Sequence, residues 1–355
     1  MDRRYLALAA LLAAGCSAGP TPLEFGVAAS EIPAAVRQRA VASRGAIGYQ
    51  AAFLGSRVLV SVELGVRFEL VARRIDRARS APVEIARVDL GPPDWDISAI
   101  EASPGPLVWV GSLDGSVRGI DLERARVVHH WRAGHAVTAI ATAQSGRYLA
   151  YGTAEGVVCL RRVRDGALLQ CLRAHGGRVS TISGVRDLLI TGSWDGAIKG
   201  FAIPTLALRF AIELGGSIND LAARGSSLAA AASSAPPTGD RRRRDLEGRL
   251  AIVDFGPETS SAIVRSECIG HRGPVTAVRW TSDGALVSGG WDRALRQWET
   301  SGAACRQRWH HQLDGHHITS LALQGRGRYL AASLWVTALD QPGVVLLDFL
   351  YPPRR

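Results

Sequence analysis

Lysine is almost missing from this chain. Of its 42 basic side chains only Lys199 is not arginine, so the net charge of +10 at pH 7 is an arginine charge set against 32 acidic groups. A basic surplus is the footprint of a nucleic-acid or anionic-surface binder. An arginine bias of this kind reads instead as a compositional habit, and no nucleic-acid partner is expected. The exception is one local run, Arg241, Arg242, Arg243 and Arg244. Long apolar runs are missing too: none reaches the eighteen or so residues that a membrane-spanning helix needs. Cysteine is scarce, five in 355 residues, and no C-x-x-C or C-x-x-C-H occurs, which leaves zinc ribbons and covalent haem without support. Also lacking are G-x-S-x-G, H-E-x-x-H, the phosphate-binding G-x-x-x-x-G-K and the acid pattern of a calcium loop. No catalytic residue, cofactor or metal is assigned on these grounds.

What is present begins with a processing signal. Residues 1–16, "MDRRYLALAALLAAGC", run from a short basic start (Arg3, Arg4) through an apolar stretch, Leu6 to Ala14, to Gly-Cys. That order is the one an export signal shows, and it is too short to span a bilayer. The ending "LAAGC" resembles a bacterial lipobox, which would make Cys16 the lipidated first residue after cleavage. It departs from that pattern in having Ala13 three before the Cys, with Leu12 one place earlier. A plain cleaved signal with an incidental Cys16 is the alternative. Residues 17–43 lack strand alternation and read as a tether, which leaves 44–355 for the folded domain. Cys159 and Cys171 flank "RDGA" at near-equal distances, opposite each other on a hairpin. They read as two small apolar residues, with a cross-strand disulfide as the alternative.

The chain also repeats itself. Asp114, Glu155, Asp195 and Asp292 stand in turn signals 41, 40 and 97 residues apart, the last step being two repeats plus an insertion. His135, His175, His271 and His316 step by 40, 96 and 45 residues, and the His-to-acid spacing is 20, 20 and 21 in the three units that have both. A period near forty residues is that of a four-stranded propeller blade. Within a unit, "AVTAIATA", "GRYLAYGT", "GVVCLRRV" and "ALLQCLRA" supply four strands parted by turn residues. Blades start near Gly45, Asp94, Gly134, His175, Gly215, Gly270 and Gly315, which counts seven. The last, ending in "GVVLLDF" (343–349), is one strand short, and the segment near 40–50 is expected to complete it and close the ring. The matching stretches "HHWRAGH" (129–135) and "HHQLDGH" (310–316) read as a repeated outer strand leading to a blade-start His, with His316 capping its blade, rather than as a zinc site.

These residues resemble the WD40 repeat family, and "GHRGPVTAVRWTSDGALVSGGWDRALRQWET" (270–300) carries the resemblance furthest. The resemblance implies an all-β, seven-bladed WD40-like β-propeller, closed by an N-terminal strand and monomeric. It also implies a buried hydrogen-bond tetrad on His271, Ser288, Asp292 and Trp298. A partial tetrad falls on His175, Thr191 and Asp195, with Phe201 in place of the Trp. The "WD" of "GSWDG" (192–196) and "GGWDR" (289–293) is not the dipeptide that names the family, whose place is held by Trp298-Glu299. It is a Trp beside the turn Asp, on the loop between second and third strands.

Two further features fall on that kind of loop: the insertion "SSAPPTGDRRRRDLEG" (233–248) in the fifth blade and "LWVTALDQPG" (334–343) in the seventh. In the family these loops share a face with those joining blades. That face should gather Trp95, Trp194, Trp291, Trp335 and Arg241–Arg244, and Trp and Arg are residue types that dominate protein interfaces. Blade packing for the Trp residues and a solvated loop for the arginines are the plainer readings. The function expected is that of an exported, lipid-anchored protein-binding scaffold in the bacterial cell envelope. It would face the periplasm or the outside, bind envelope proteins and perform no catalysis. The alternatives are a hydrolase or lyase working in the central channel, and a cytoplasmic WD40 scaffold.

Overall fold

The computed structural model describes residues 36–41, 47–64, 66–76, 81–92, 97–234, 247–256, 262–300, 304–313, 317–325, 327–335 and 343–349. Among them there is no helix. Twenty-eight strands form seven antiparallel four-stranded sheets. The first six blades are β2–β5 (47–91), β6–β9 (97–132), β10–β13 (137–173), β14–β17 (179–213), β18–β21 (217–268) and β22–β25 (275–312), and in each the chain runs outward strand by strand. The seventh holds β26 (Ile318–Leu323), β27 (Tyr329–Leu334) and β28 (Val344–Phe349), with β1 (Val36–Ala40) as its outermost strand.

The clasp therefore lies earlier than expected. Val36 to Ala40 pair with Phe349 to Val345, so the end of the segment read as tether is strand. Residues 47–54, assigned to the clasp in part, instead form β2 (Ile47–Leu54), the innermost strand of the first blade. The reason is one of count: the first blade has only three further strands of its own and needs 47–54 to reach four.

Burial follows position in the blade. Second strands such as β11 (Tyr148–Thr153) and β15 (Leu188–Ser193) are buried at every residue, because a blade lies against each face. Outermost strands such as β13 (Leu168–Arg173) are mostly exposed. The core is divided into seven clusters, one between each pair of neighbouring blades. Glycine before the loop joining second and third strands has a packing role here. A Cβ on Gly192 would stand 2.7 Å from Ile218 Cγ2, and one on Gly289 would stand 2.8 Å from Ile318 Cγ2, each in the next blade.

Two disulfides staple the rim, which corrects the reading of Cys159 and Cys171 as unpaired apolar residues. In the β12 (Val157–Arg162) to β13 pairing these two stand directly opposite, 4.1 Å apart at Cα, and they are bonded. That close approach is typical of a non-hydrogen-bonded pair. The second disulfide joins Cys268, at the end of β21 (Ala262–Cys268), to Cys305, just before β25 (Arg306–Gln312), and so links two neighbouring blades.

Candidate functional site

The turn acids of the fourth and sixth blades hold the preceding blade-joining loops in place. In the sixth blade Trp298 Nε1–H donates to Ser288 Oγ (2.8 Å), Ser288 Oγ meets His271 Nε2 (2.7 Å), and His271 Nδ1 reaches both oxygens of Asp292 at 3.0 Å. Asp292 also accepts from the Arg272 and Ala294 backbone N–H groups. Burial pushes the Asp292 carboxyl up, but the hydrogen bond and charge of His271, the Arg272 N–H and the Arg296 charge outweigh it and hold the group at about 2. In the fourth blade His175 joins Thr191 Oγ1 (2.8 Å) to Asp195 (3.2 Å), and buried Phe201 fills the Trp position without a polar atom. Burial lowers the His175 pKa, assisted by the Lys199 charge and opposed by Asp195. In the third blade His135 and Glu155 form only an exposed pair at 3.6 Å. His316 lies outside the described residues.

Three tryptophans share one register position. Trp194, Trp291 and Trp335 are each the first residue after a second strand, and each donates its backbone N–H to the preceding blade-joining loop: to Arg178 O (3.0 Å), Pro274 O (3.0 Å) and His317 O (2.8 Å). The first two open three-residue hairpin loops whose third residue has left-handed backbone, Gly196 at φ +90° and Arg293 at φ +64°. A side chain at the first position of such a loop projects from the blade end. Trp194 is accordingly 50% exposed and Trp335 46%, whereas Trp109 and Trp298, inside the blades, are fully buried. The Arg178 guanidinium lies over the Trp194 ring at 5.1 Å. Trp291 stacks on His317 with centroids 5.5 Å apart, and His317 Nδ1 donates to Trp291 O. These residues occupy blades four, six and seven. In the fifth, Ser233 holds the equivalent position, and the chain between Ser234 and Glu247 is the insertion with the arginine run. Trp95 and Arg241–Arg244 lie outside the described residues.

The central channel holds features that the repeat reading missed. Each innermost strand has a bulge at its second or third residue. From the second to the sixth blade the bulged residue is Ser98, Thr138, Ser180, Asn219 or Thr276. Each donates to a backbone carbonyl of the next blade: Val137, Val179, Ile218, Val275 and Ile318 in turn. The signal was visible as an apolar residue followed by Ser, Thr or Asn at each strand start. These side chains also line a cavity of about 450 Å³, together with the charged Glu101, Asp220 and Arg279. Asp220 pairs with Arg279 and accepts from Val278 N–H at 3.0 Å. Glu101 Oε1 accepts from Thr142 N–H (3.1 Å) and Oγ1–H (2.9 Å), and burial pushes this carboxyl up against those bonds and the Arg279 charge. Among the described residues no group of three His, Cys, Asp or Glu side chains is placed to hold a metal.

Comparison with known proteins agrees with this architecture. Residues 166–201 and 263–299 match the family described as WD domain, G-beta repeat, and the two segments contain the partial and the full tetrad. No curated protein matches the sequence. Among solved structures, the one described as "Structure of U3-55K" superposes with a TM-score of 0.72 at 12% identity, over 90% of this chain and 100% of that one. At that identity the likeness is of fold alone. The chain is a seven-bladed β-propeller of four-stranded blades, two segments of which match WD40 repeats.

Proposed function

We propose that this propeller is a protein-binding scaffold of the bacterial cell envelope, exported and held to the membrane by lipid on Cys16, and that it binds through the face bearing Trp194, Trp291 and Trp335. The observation that carries the binding half is the shared loop position of three tryptophans, two of them about half exposed, on one arc of blades. Burying such a ring in a partner is a common source of interface energy. The cysteines support the export half. Four of the five are paired in two disulfides, and such bonds persist in oxidising compartments. The fifth is Cys16, within "LAAGC".

A channel enzyme is the second reading, favoured by the Glu101 carboxyl that burial pushes up inside a cavity. One membrane experiment separates these views. Metabolic labelling with a fatty-acid analogue should mark the wild type and not Cys16→Ser, and proteins co-purified from the labelled membranes should be lost with Trp194→Ala plus Trp291→Ala while melting stays nearly unchanged. Equal labelling of both chains removes the anchor. Unchanged co-purification removes the binding face and leaves the channel.

A further inference from the structure

Arg178 has no counter-ion among the described residues. Among the described residues no carboxylate pairs with its guanidinium and no carbonyl accepts from it, and the guanidinium lies over the face of Trp194. Burial lowers its pKa and no acidic group offsets that, the mark of a charge partly removed from water with nothing opposite it. Such a charge is costly unless a partner supplies its complement.

The turn acids of blades four and six are already committed. Asp195 accepts from His175, from Gly176 N–H at 2.8 Å and from Ala197 N–H at 3.0 Å. Asp292 is held by His271, Arg272 N–H and Ala294 N–H. Arg272 and Arg293, exposed on the sixth-blade loops, have no paired carboxylate among the described residues. On blades four and six the face therefore offers cations and aromatic rings with the turn carboxylates drawn inward, while in the third blade the exposed Glu155 is set against His135.

We propose that the polypeptide segment received here carries a carboxylate beside an apolar side chain, the carboxylate pairing with Arg178 and the apolar group covering Trp194. This rests on the reading of the face as a protein-binding surface. The guanidinium fork accepts a carboxylate with two parallel hydrogen bonds, a geometry that an amide of the same shape cannot match in charge. The Trp194 ring, one face under the guanidinium and half of its surface open, supplies the apolar contact next to it. An acidic residue adjoining a Leu, Ile or Phe satisfies both.

Selection of short random peptides on the full chain tests this without knowledge of the natural partner. Binders of the wild type should be enriched in Asp or Glu next to an apolar residue. Synthetic copies should bind about tenfold or more tighter than their Asn or Gln counterparts, the range expected for a charged hydrogen-bonded pair. Arg178→Met, which keeps an apolar stem over the ring, should bring the acidic and amide forms to one weak affinity, and Trp194→Ala should weaken both alike. Equal affinity of acidic and amide peptides for the wild type overturns the proposal whether or not the variants fold. So does an acid preference retained by Arg178→Met, because it would come from the general positive charge. Binding of anionic phospholipid vesicles that depends on Arg178, with no acidic peptide selected, assigns the residue to a membrane surface and overturns it as well. Failure to select any peptide that depends on Trp194 removes the binding face itself, a result distinct from loss of the acid preference.

Discussion

Asp292 and Asp114 occupy the same place in their blades and do different amounts of work. Asp292, with 8% of its side chain exposed, ends a buried line through His271 and Ser288 to Trp298. Asp114 accepts from Ser116 and pairs with Arg132, a residue 64% exposed. Removing Asp292 strands a buried histidine and two backbone donors, a loss of about 1–3 kcal/mol, whereas water can replace the carboxylate at Asp114. Chemical denaturation should therefore show a larger drop for Asp292→Ala than for Asp114→Ala. The low pKa adds a sign. A carboxyl held at about 2 in the fold against about 3.8 when unfolded contributes stability that is complete above 3.8 and disappears as the pH falls towards 2. Asp292→Asn should flatten that acid limb. A steeper loss at Asp114, or an unchanged limb, would show that the tetrad is not what holds this blade end. The tetrad was legible through the resemblance of residues 270–300 to the WD40 repeat, which implies those four residues as partners. Arg178 was not, because a single arginine among many signals nothing until the ring beneath it is seen.

At the scale of strands and loops, legibility depended on distance along the chain. The "G-x-W-D" stretches announced a hairpin, and the structure adds why the glycine is there: the next blade's Ile218 or Ile318 packs where its Cβ would be. Cys159 and Cys171 could be placed opposite each other because one hairpin relates them, and only the choice between thiols and a disulfide went wrong. Cys268 and Cys305 gave no such cue. They sit on two different blades, and their approach depends on the angle between blades, which no local pattern encodes. The clasp was misplaced for a related reason: a strand paired only at its far end in sequence has no neighbouring hairpin to set its register. The two disulfides should also differ in weight. Chain-entropy arguments put each at about 2–4 kcal/mol, more for the longer closed segment. The separation is 37 residues for Cys268–Cys305 and 12 for Cys159–Cys171. Replacing Cys268 and Cys305 together by Ser should lower the denaturation midpoint more than replacing the other pair, since that bond also ties two blades. The opposite order would mean that the interface between those blades holds without its staple.

The whole molecule is a ring whose core lies in seven interfaces shared by neighbouring blades, and its seventh sheet is completed only when β1 joins β28. Hydroxyl and amide groups at the bulges extend this dependence around the channel from the second blade to the seventh. A ring built in this way carries its loops at the blade ends, and three exposed or partly exposed tryptophans lie on one arc of them. The central claim is that this arc meets a protein. Site-specific photo-crosslinking in the native cell tests it most directly. A photo-reactive amino acid is placed at Arg293 or Trp335 on the face, and at Leu208, 57% exposed on the outer strand β17 (Ala207–Glu213). The account predicts one discrete crosslinked protein from both face positions and none from Leu208. Crosslinks from Leu208 with none from positions 293 and 335 would contradict it.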